Sequence, residues 1–101
     1  MKRIINGKMY NTETATCVAH YSNGYGTGDF NNIDEDIYIK KTGEWFLDGS
    51  GGAMTVYAEA EGDGWYGGRQ IIPFTDDEAK DWLSEHKCVD EYIKYFGEPE
   101  E

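Results

Sequence analysis

The stretch between residues 37 and 52 constrains the fold more than any other part of the chain, because it has the pattern of a β-hairpin. Its sequence is IYIKKTGEWFLDGSGG, and the turn between the two apolar runs contains Gly43, which can adopt positive φ without steric cost. Strand alternation predicts that Trp45 and Leu47 share one face and that Phe46 lies on the other. A hairpin alone is only marginally stable in water, so further strands or a helix must cover it.

Two further segments carry strand patterns. Residues 3–10 read RIINGKMY, in which Asn6-Gly7 is the preferred two-residue turn of a hairpin. Arg69–Phe74 is predicted to form a last strand that Pro73 ends.

The Gly-rich sequence 49–52 predicts a sharp turn or a close approach of two backbone segments.

Helix signals are clearest near the C-terminus. Residues 75–78 (TDDE) form a capping-box pattern, and the helix that follows has a predicted buried face of Ala79, Trp82 and Leu83. A second short helix is predicted at Val89–Phe96, ending at Gly97.

Two other segments are also predicted to be helical. Residues 13–22 place Ala15, Val18, Ala19 and Ser22 at helical spacing, and residues 53–60 favour a short helix weakly over a strand. Both cysteines, Cys17 and Cys88, then lie in helices as small buried side chains and not as a disulfide framework. The loop 25–32 is expected to be anchored by burial of Phe30.

These elements predict an α+β fold. We expect an antiparallel sheet of about four to five strands, built from two hairpins and a later strand, with the helices packed on one face. A chain of 101 residues is enough for a single core, so residues 1–97 are predicted to form one domain and residues 98–101 an acidic tail.

Charge is the strongest global signal. The chain has 20 acidic and nine basic residues, for a net charge of −11. Such a field repels nucleic acid and anionic membranes and speeds the encounter with a basic protein surface, although acidic surfaces also serve simple solubility. We therefore expect no direct DNA binding and no membrane association, and a cytoplasmic protein, since no apolar run has the length of a signal or a membrane span.

No pattern of catalytic, cofactor-binding or metal-binding residues is complete. Residues 59–64 (EAEGDG) resemble the start of a calcium loop, but the twelfth position is Gln70 where a bidentate glutamate is required, so a solvated turn is expected. Cys17 and His20 would be neighbours on a helix, yet no orienting third group accompanies them. The sequence favours a binding protein over an enzyme.

Acidic residues fall into three clusters, which are the candidates for partner binding. Spaced carboxylates on a rigid frame can imitate the phosphates of nucleic acid for a protein that binds it. The third cluster, residues 76–78, is also explained by helix capping. The predicted partner-binding residues come from the other two clusters and from the adjacent aromatic pair: Asp34, Glu35, Asp36, Glu59, Glu61, Asp63, Trp65 and Tyr66.

Four motifs in order resemble a family of small acidic proteins carried by phages and conjugative elements of Gram-positive bacteria. They are KRIINGKMYNTETAT, the NGY…DF loop, IYIKKTGEWFLDGSGGA and IIPFTDDEAKDWLSEH. The family includes anti-CRISPR proteins that inhibit type II RNA-guided DNA nucleases, and other members have no assigned role. The resemblance implies a binding-type inhibitor whose partner is the basic nucleic-acid-binding surface of such a nuclease. The alternatives are a metal-dependent nuclease acting on guide RNA and an acidic protein-protein adaptor.

Overall fold

The computed structural model describes residues 1–26 and 28–100, apart from the side chain of Glu61. Within these described residues, eight strands are followed by two helices. Their bounds are β1 Lys2–Ile5, β2 Lys8–Asn11, β3 Thr16–Ser22, β4 Ile33–Ile39, β5 Trp45–Gly51, β6 Glu59–Glu61, β7 Gly64–Tyr66, β8 Gly68–Phe74, α1 Asp76–Glu85 and α2 Val89–Phe96. The predicted α+β class is confirmed.

A four-stranded antiparallel sheet with the order β3-β4-β5-β8 forms the centre of the domain. The predicted central hairpin is its β4–β5 pair, in which Ile39 lies opposite Trp45. Gly43 in the turn has a φ of 90°, as the turn pattern predicts. The N-terminal hairpin also forms, but as a separate two-stranded sheet of β1 and β2, so the fourth strand of the main sheet is β3 and not part of that hairpin.

One face of the sheet packs against both helices. Its core contains Ile37, Trp45 and Leu47 of the central hairpin beneath the three buried residues predicted on α1: Ala79, Trp82 and Leu83. The capping box at Thr75 is present, with the Thr75 side chain accepting from the backbone of Glu78. The predicted buried face of α1 and its N-terminal cap are therefore both confirmed.

The opposite face of the sheet is covered at one end by the β1–β2 hairpin. Tyr10 of β2 packs here with Phe46 and Ile71, and the Tyr38 ring stacks on Phe46 at a centroid distance of 5.1 Å. Phe46 thus lies on the face opposite to Trp45 and Leu47, as alternation predicts. The central hairpin is covered on both faces, which explains why its second arm reads as an unbroken apolar run.

The predicted helix over residues 13–22 is wrong, because this segment forms a turn and then the edge strand β3. The Asn11 side chain accepts from the backbone N–H of Glu13 at 2.9 Å and closes a turn before the strand. A register irregularity between Cys17 and Ala19 shifts the strand by one residue, which removes the simple alternation typical of a strand. Cys17 is therefore exposed on a strand, whereas Cys88 is partly buried just before α2, and both are free thiols.

The predicted helix over residues 53–60 is also wrong. The segment contains turns and then β6, and its turn is closed by the Thr55 hydroxyl, which donates to the Gly52 carbonyl at 2.8 Å and accepts from the Tyr57 N–H at 3.2 Å. These local bonds and the burial of Tyr57 hold the backbone in a non-helical form. In the part of the chain that the structure describes, neither helix is long and apolar enough to span a membrane.

Candidate partner-binding surface

The long connections of the main sheet all emerge at one end of it. Strand β3 ends and β4 begins at this end, where Ser22 pairs with Asp34, and β5 ends where Gly51 pairs with Ile33 and with Gly68 of β8. We call this region the loop end. It comprises the described residues of 23–36 and residues 51–68, including the β6–β7 hairpin.

Backbone hydrogen bonds join the two loops at the loop end. The Gly52 N–H donates to the Asn32 carbonyl at 2.9 Å, and the Met54 N–H donates to the Phe30 carbonyl at 2.8 Å. A Cβ on Gly52 would lie 2.5 Å from the carbonyl oxygens of Asp29 and Phe30. The predicted close approach at residues 49–52 is confirmed, although β5 continues through Gly51 without a sharp turn.

Phe30 was expected to anchor its loop by burial, and this prediction is wrong because the side chain is 65% exposed. The loop is anchored by polar groups instead. The buried Asn32 side chain donates to the Tyr25 carbonyl at 2.9 Å, and the Asn23 side chain donates to the Asn31 carbonyl at 2.7 Å. These bonds from asparagine side chains to backbone carbonyls hold the loop, so the Phe30 side chain faces solvent.

Glu35 occupies the helix-packed face of the sheet, where it is a structural carboxylate. The phenol of the buried Tyr57 donates to one carboxylate oxygen, and the Trp82 indole N–H donates to the other at 3.0 Å. His86 Nε2 lies 3.9 Å from the second oxygen. Burial and then the hydrogen bond to Glu35 raise the pKa of the Tyr57 phenol above its ordinary range. With a side chain only 15% exposed, Glu35 offers little surface to a partner.

Asp34 and Asp36 lie on the opposite face of the sheet from Glu35, as strand alternation requires. The Asp36 carboxylate lies 2.6 Å from His20 Nδ1, and Asp34 lies 3.9 Å from His20 Nε2. The helical neighbour relation proposed for Cys17 and His20 does not occur, because in β3 they pair with Tyr38 and Asp36. The structure therefore separates the predicted run into two outward carboxylates and one internal carboxylate.

Next to these two carboxylates, Asp48 forms an ion pair that the sequence analysis did not single out. Arg69 Nε donates to the Asp48 carboxylate at 2.8 Å, and Arg69 Nη2 donates to its second oxygen. This paired hydrogen bond raises the pKa of the Arg69 guanidinium. The charge of Arg69 is thus engaged within the protein and balances the buried Asp48.

The β6–β7 hairpin carries the other predicted binding residues. Glu59 and Asp63 are exposed, and Trp65 and Tyr66 are 65% and 57% exposed. Glu61 pairs with Gly64 through the backbone, next to a turn in which Gly62 has a φ of 60°. The calcium-loop-like sequence is therefore part of a short hairpin.

The third acidic cluster lies at the other end of the sheet. It follows Phe74, which pairs with Trp45 near the β4–β5 turn, and it occupies the first turn of α1. Of the three acidic clusters, two share the loop end and one does not.

The loop end has no lysine or arginine of its own, although Arg69, which is paired with Asp48, borders it. Residues 9–39 and 42–68 contain no lysine or arginine at all. Lys8 and Lys40 lie near the β4–β5 turn, where their Nζ atoms are 2.9 and 3.7 Å from the two oxygens of Glu44. The spacing of basic residues along the chain is a sequence signal that could have located this acidic end.

Large apolar side chains are also exposed at the loop end. Trp65 and Tyr66 were predicted as binding residues, whereas four further side chains were not: Tyr25, Phe30, Met54 and Val56, the last 83% exposed. Exposed aromatic and apolar residues with a polar rim are typical of a protein-binding surface.

A concave region of about 570 Å³ lies between α1 and α2. Its apolar lining includes Leu83, Val89 and Ile93, and its rim carries Asp77 and Lys80 among charges of both signs. It lacks the single-sign charge of the loop end.

Among the described side chains of residues 1–26 and 28–100, which do not include that of Glu61, no three His, Cys, Asp or Glu groups are placed to hold a metal ion. Comparison of the chain with protein-family models, with curated proteins and with solved structures finds no match in any of the three.

Proposed function

We propose that this protein is an anti-CRISPR inhibitor of the binding type, which occupies a basic nucleic-acid-binding surface of a type II RNA-guided DNA nuclease. The observation that carries the proposal is the loop end, where outward carboxylates and exposed aromatic side chains occur together without an uncompensated basic side chain. The resemblance of four ordered sequence motifs to a family that includes such inhibitors adds the identity of the partner.

The electrostatics of the two surfaces are complementary. An RNA-guided nuclease holds its heteroduplex in a positively charged channel and reads a short DNA motif with arginines. Glu59 and Asp63 present carboxylates to solvent, and Asp34 and Asp36 are partly exposed beside His20, at one end of a protein of net charge −11. Attraction between such surfaces accelerates association and weakens at high salt, since the Debye length is only ~8 Å at physiological ionic strength.

The two alternatives differ in stoichiometry. A binding inhibitor titrates the nuclease one for one, whereas an enzyme that cuts guide RNA acts at substoichiometric amounts and requires its metal. The absence of a metal-ligand cluster among the described residues gives the enzymatic alternative no support from the structure. An acidic adaptor would bind a different bacterial protein and leave the nuclease active.

The test is competition with guide RNA and target DNA for a type II nuclease across a salt series. The informative variant neutralises exposed acids at the loop end: Asp29→Asn, Glu59→Gln and Asp63→Asn. A matched control neutralises three exposed acids elsewhere: Glu85→Gln, Glu98→Gln and Glu100→Gln. Both change the charge of −11 by three units. Glu35 is left intact because its loss would disturb the core.

We expect the loop-end variant to raise the inhibitory concentration by about tenfold at low salt, mainly through slower association, and the control to change it by less than about threefold. Equal effects of the two variants would mean that total charge matters and the loop end does not. If the folded wild-type protein binds no type II nuclease at low salt, the inhibitor proposal fails and the adaptor becomes the leading alternative.

A further inference from the structure

We infer that the β6–β7 hairpin is an aromatic anchor that inserts between arginine side chains of the partner's basic surface. This inference rests on the proposed function for the identity of the partner, but the chemistry it requires is a property of the hairpin itself. The anchor adds a second kind of contact to the acidic surface, because burial of the Trp65 and Tyr66 rings against the partner removes them from water.

The hairpin exposes apolar surface on both of its faces. Trp65 pairs with Ala60 and Tyr66 pairs with Glu59, so the two aromatic side chains point to opposite faces of the ribbon. Each ring is more than half exposed. Two strands of three residues are too short to be stable alone. A second surface on either side of the ribbon would bury rings that the protein itself leaves in water.

The base of the hairpin is held firmly to the domain. A Cβ on Gly68 would collide with the Tyr57 carbonyl and would lie 2.9 Å from the Glu59 side chain. A Cβ on Gly67 would lie 2.8 Å from the Gly51 carbonyl. This close backbone packing fixes where the hairpin leaves the sheet, so its aromatic side chains are presented in a defined direction at little entropic cost.

Arginine is the side chain that suits this hairpin best. Glu59 and Asp63 lie within seven residues of Trp65 and Tyr66 in the sequence. The chain has no basic residue between Lys41 and Arg69 that could pair with these two carboxylates from within the segment. A guanidinium can stack on an aromatic ring and at the same time donate two hydrogen bonds to a carboxylate. Lysine offers a compact, strongly hydrated charge and lacks the planar stacking surface. Tryptophan and tyrosine, with arginine opposite, are also the residues that dominate binding at protein interfaces.

The first experiment uses a deca-arginine peptide as the probe and deca-lysine as its comparison. The protein contains three tryptophans, of which Trp45 and Trp82 are buried, so their indole N–H signals in NMR serve as internal references for Trp65. We expect deca-arginine to shift the Trp65 signal selectively and to bind at least fivefold more tightly than deca-lysine. Trp65→Ala with Tyr66→Ala should weaken deca-arginine binding at least tenfold, and Trp65→Phe should retain most of it.

The control is Val89→Ala, which removes an equally exposed apolar side chain from α2 and should leave peptide binding unchanged. Thermal unfolding of each variant confirms that the fold is retained. Identical affinities for the two peptides, or an unshifted Trp65 signal at saturation, would overturn the inference.

The second experiment separates this inference from the proposed function by using the nuclease. The double alanine variant should dissociate from the nuclease at least tenfold faster than the wild type, with the salt dependence of its affinity unchanged, because the lost contact is not a screened charge. If this variant inhibits as well as the wild type, the anchor is refuted and the inhibitor proposal stands. If the wild type binds no nuclease, the inhibitor proposal fails, and the peptide experiment alone decides whether the hairpin is an arginine-binding anchor.

Discussion

Replacement of Trp82 tests the packing of α1 on the sheet most directly. The indole is buried against the apolar core, and its N–H donates to Glu35 at 3.0 Å. Trp82→Ala removes the whole ring and should cost about 3–5 kcal/mol, a large share of the roughly 5–15 kcal/mol expected for a domain of this size. Trp82→Phe keeps most of the ring but removes one charged hydrogen bond, so a loss of about 1.5–3 kcal/mol is expected.

Urea unfolding followed by far-ultraviolet circular dichroism measures both losses. With a slope of about 1.5 kcal/mol per molar urea, the alanine variant should unfold at a midpoint about 2–3 M lower than the wild type. Val89→Ala on the exposed face of α2 is the control and should change stability by less than about 0.5 kcal/mol. A midpoint for Trp82→Ala within about 0.3 M of the wild type would show that α1 does not pack on the sheet through this residue.

Two further predictions concern a glycine and a cysteine. Gly49→Ala should destabilise the protein by about 1–3 kcal/mol in the same urea assay, because its Cβ would collide with the buried Tyr57 ring. The control Gly26→Ala has open space around its Cβ and should be neutral or slightly stabilising. Equal effects of the two substitutions would show that Tyr57 does not lie against Gly49. Cys17 is exposed as a residue, but desolvation of its thiol, and next the charge of Asp36, raise the pKa of that thiol. Alkylation by iodoacetamide at pH 7, mapped by mass spectrometry, should therefore be slower than for a free cysteine and should accelerate as the pH rises through that raised pKa. Asp36→Asn should lower the pKa and increase the rate near pH 8, and an unchanged rate would contradict the electrostatic part of the argument.

The sequence patterns correctly predicted those elements that are held by interactions between residues close together in the chain. The turn at Gly43, the capping box at Thr75 and the apolar stripe of α1 each involve residues a few positions apart, so the sequence pattern contains the whole interaction. The separation of Trp45 from Phe46 also follows directly from the two-residue period of a strand. These features were predicted correctly together with the fold class.

The two wrong helices have a different origin. Residues 16–22 are a strand because they pair with β4, a partner that begins eleven residues after β3 ends, and the register irregularity at Cys17 hides the alternation that would indicate it. Residues 53–60 avoid a helix because Tyr57 is buried beside Gly49 and bonded to Glu35. Such long-range contacts override weak local preferences, and a single sequence does not contain their geometry.

The candidate surface was predictable in part. The hairpin residues Glu59, Asp63, Trp65 and Tyr66 are exposed, and their role in binding stays a prediction. The acidic run at residues 34–36 has the appearance of one cluster in the sequence, but the strand over it directs Glu35 away from its neighbours. The hairpin pattern in the sequence begins only at Ile37, whereas β4 begins four residues earlier at Ile33, so the acidic run lies inside the strand and follows its alternation.

The packing of Tyr57 against Gly49 and its hydrogen bond to Glu35 have a consequence for the evolution of this protein. The loop 52–58 is fixed by a buried ring, by a glycine that leaves room for it and by backbone hydrogen bonds, whereas Met54 and Val56 take no part in the core. Substitutions at those two exposed positions therefore alter the surface at almost no cost in folding free energy. A lineage whose partner diversifies can replace the side chains it presents and still inherit the same fold.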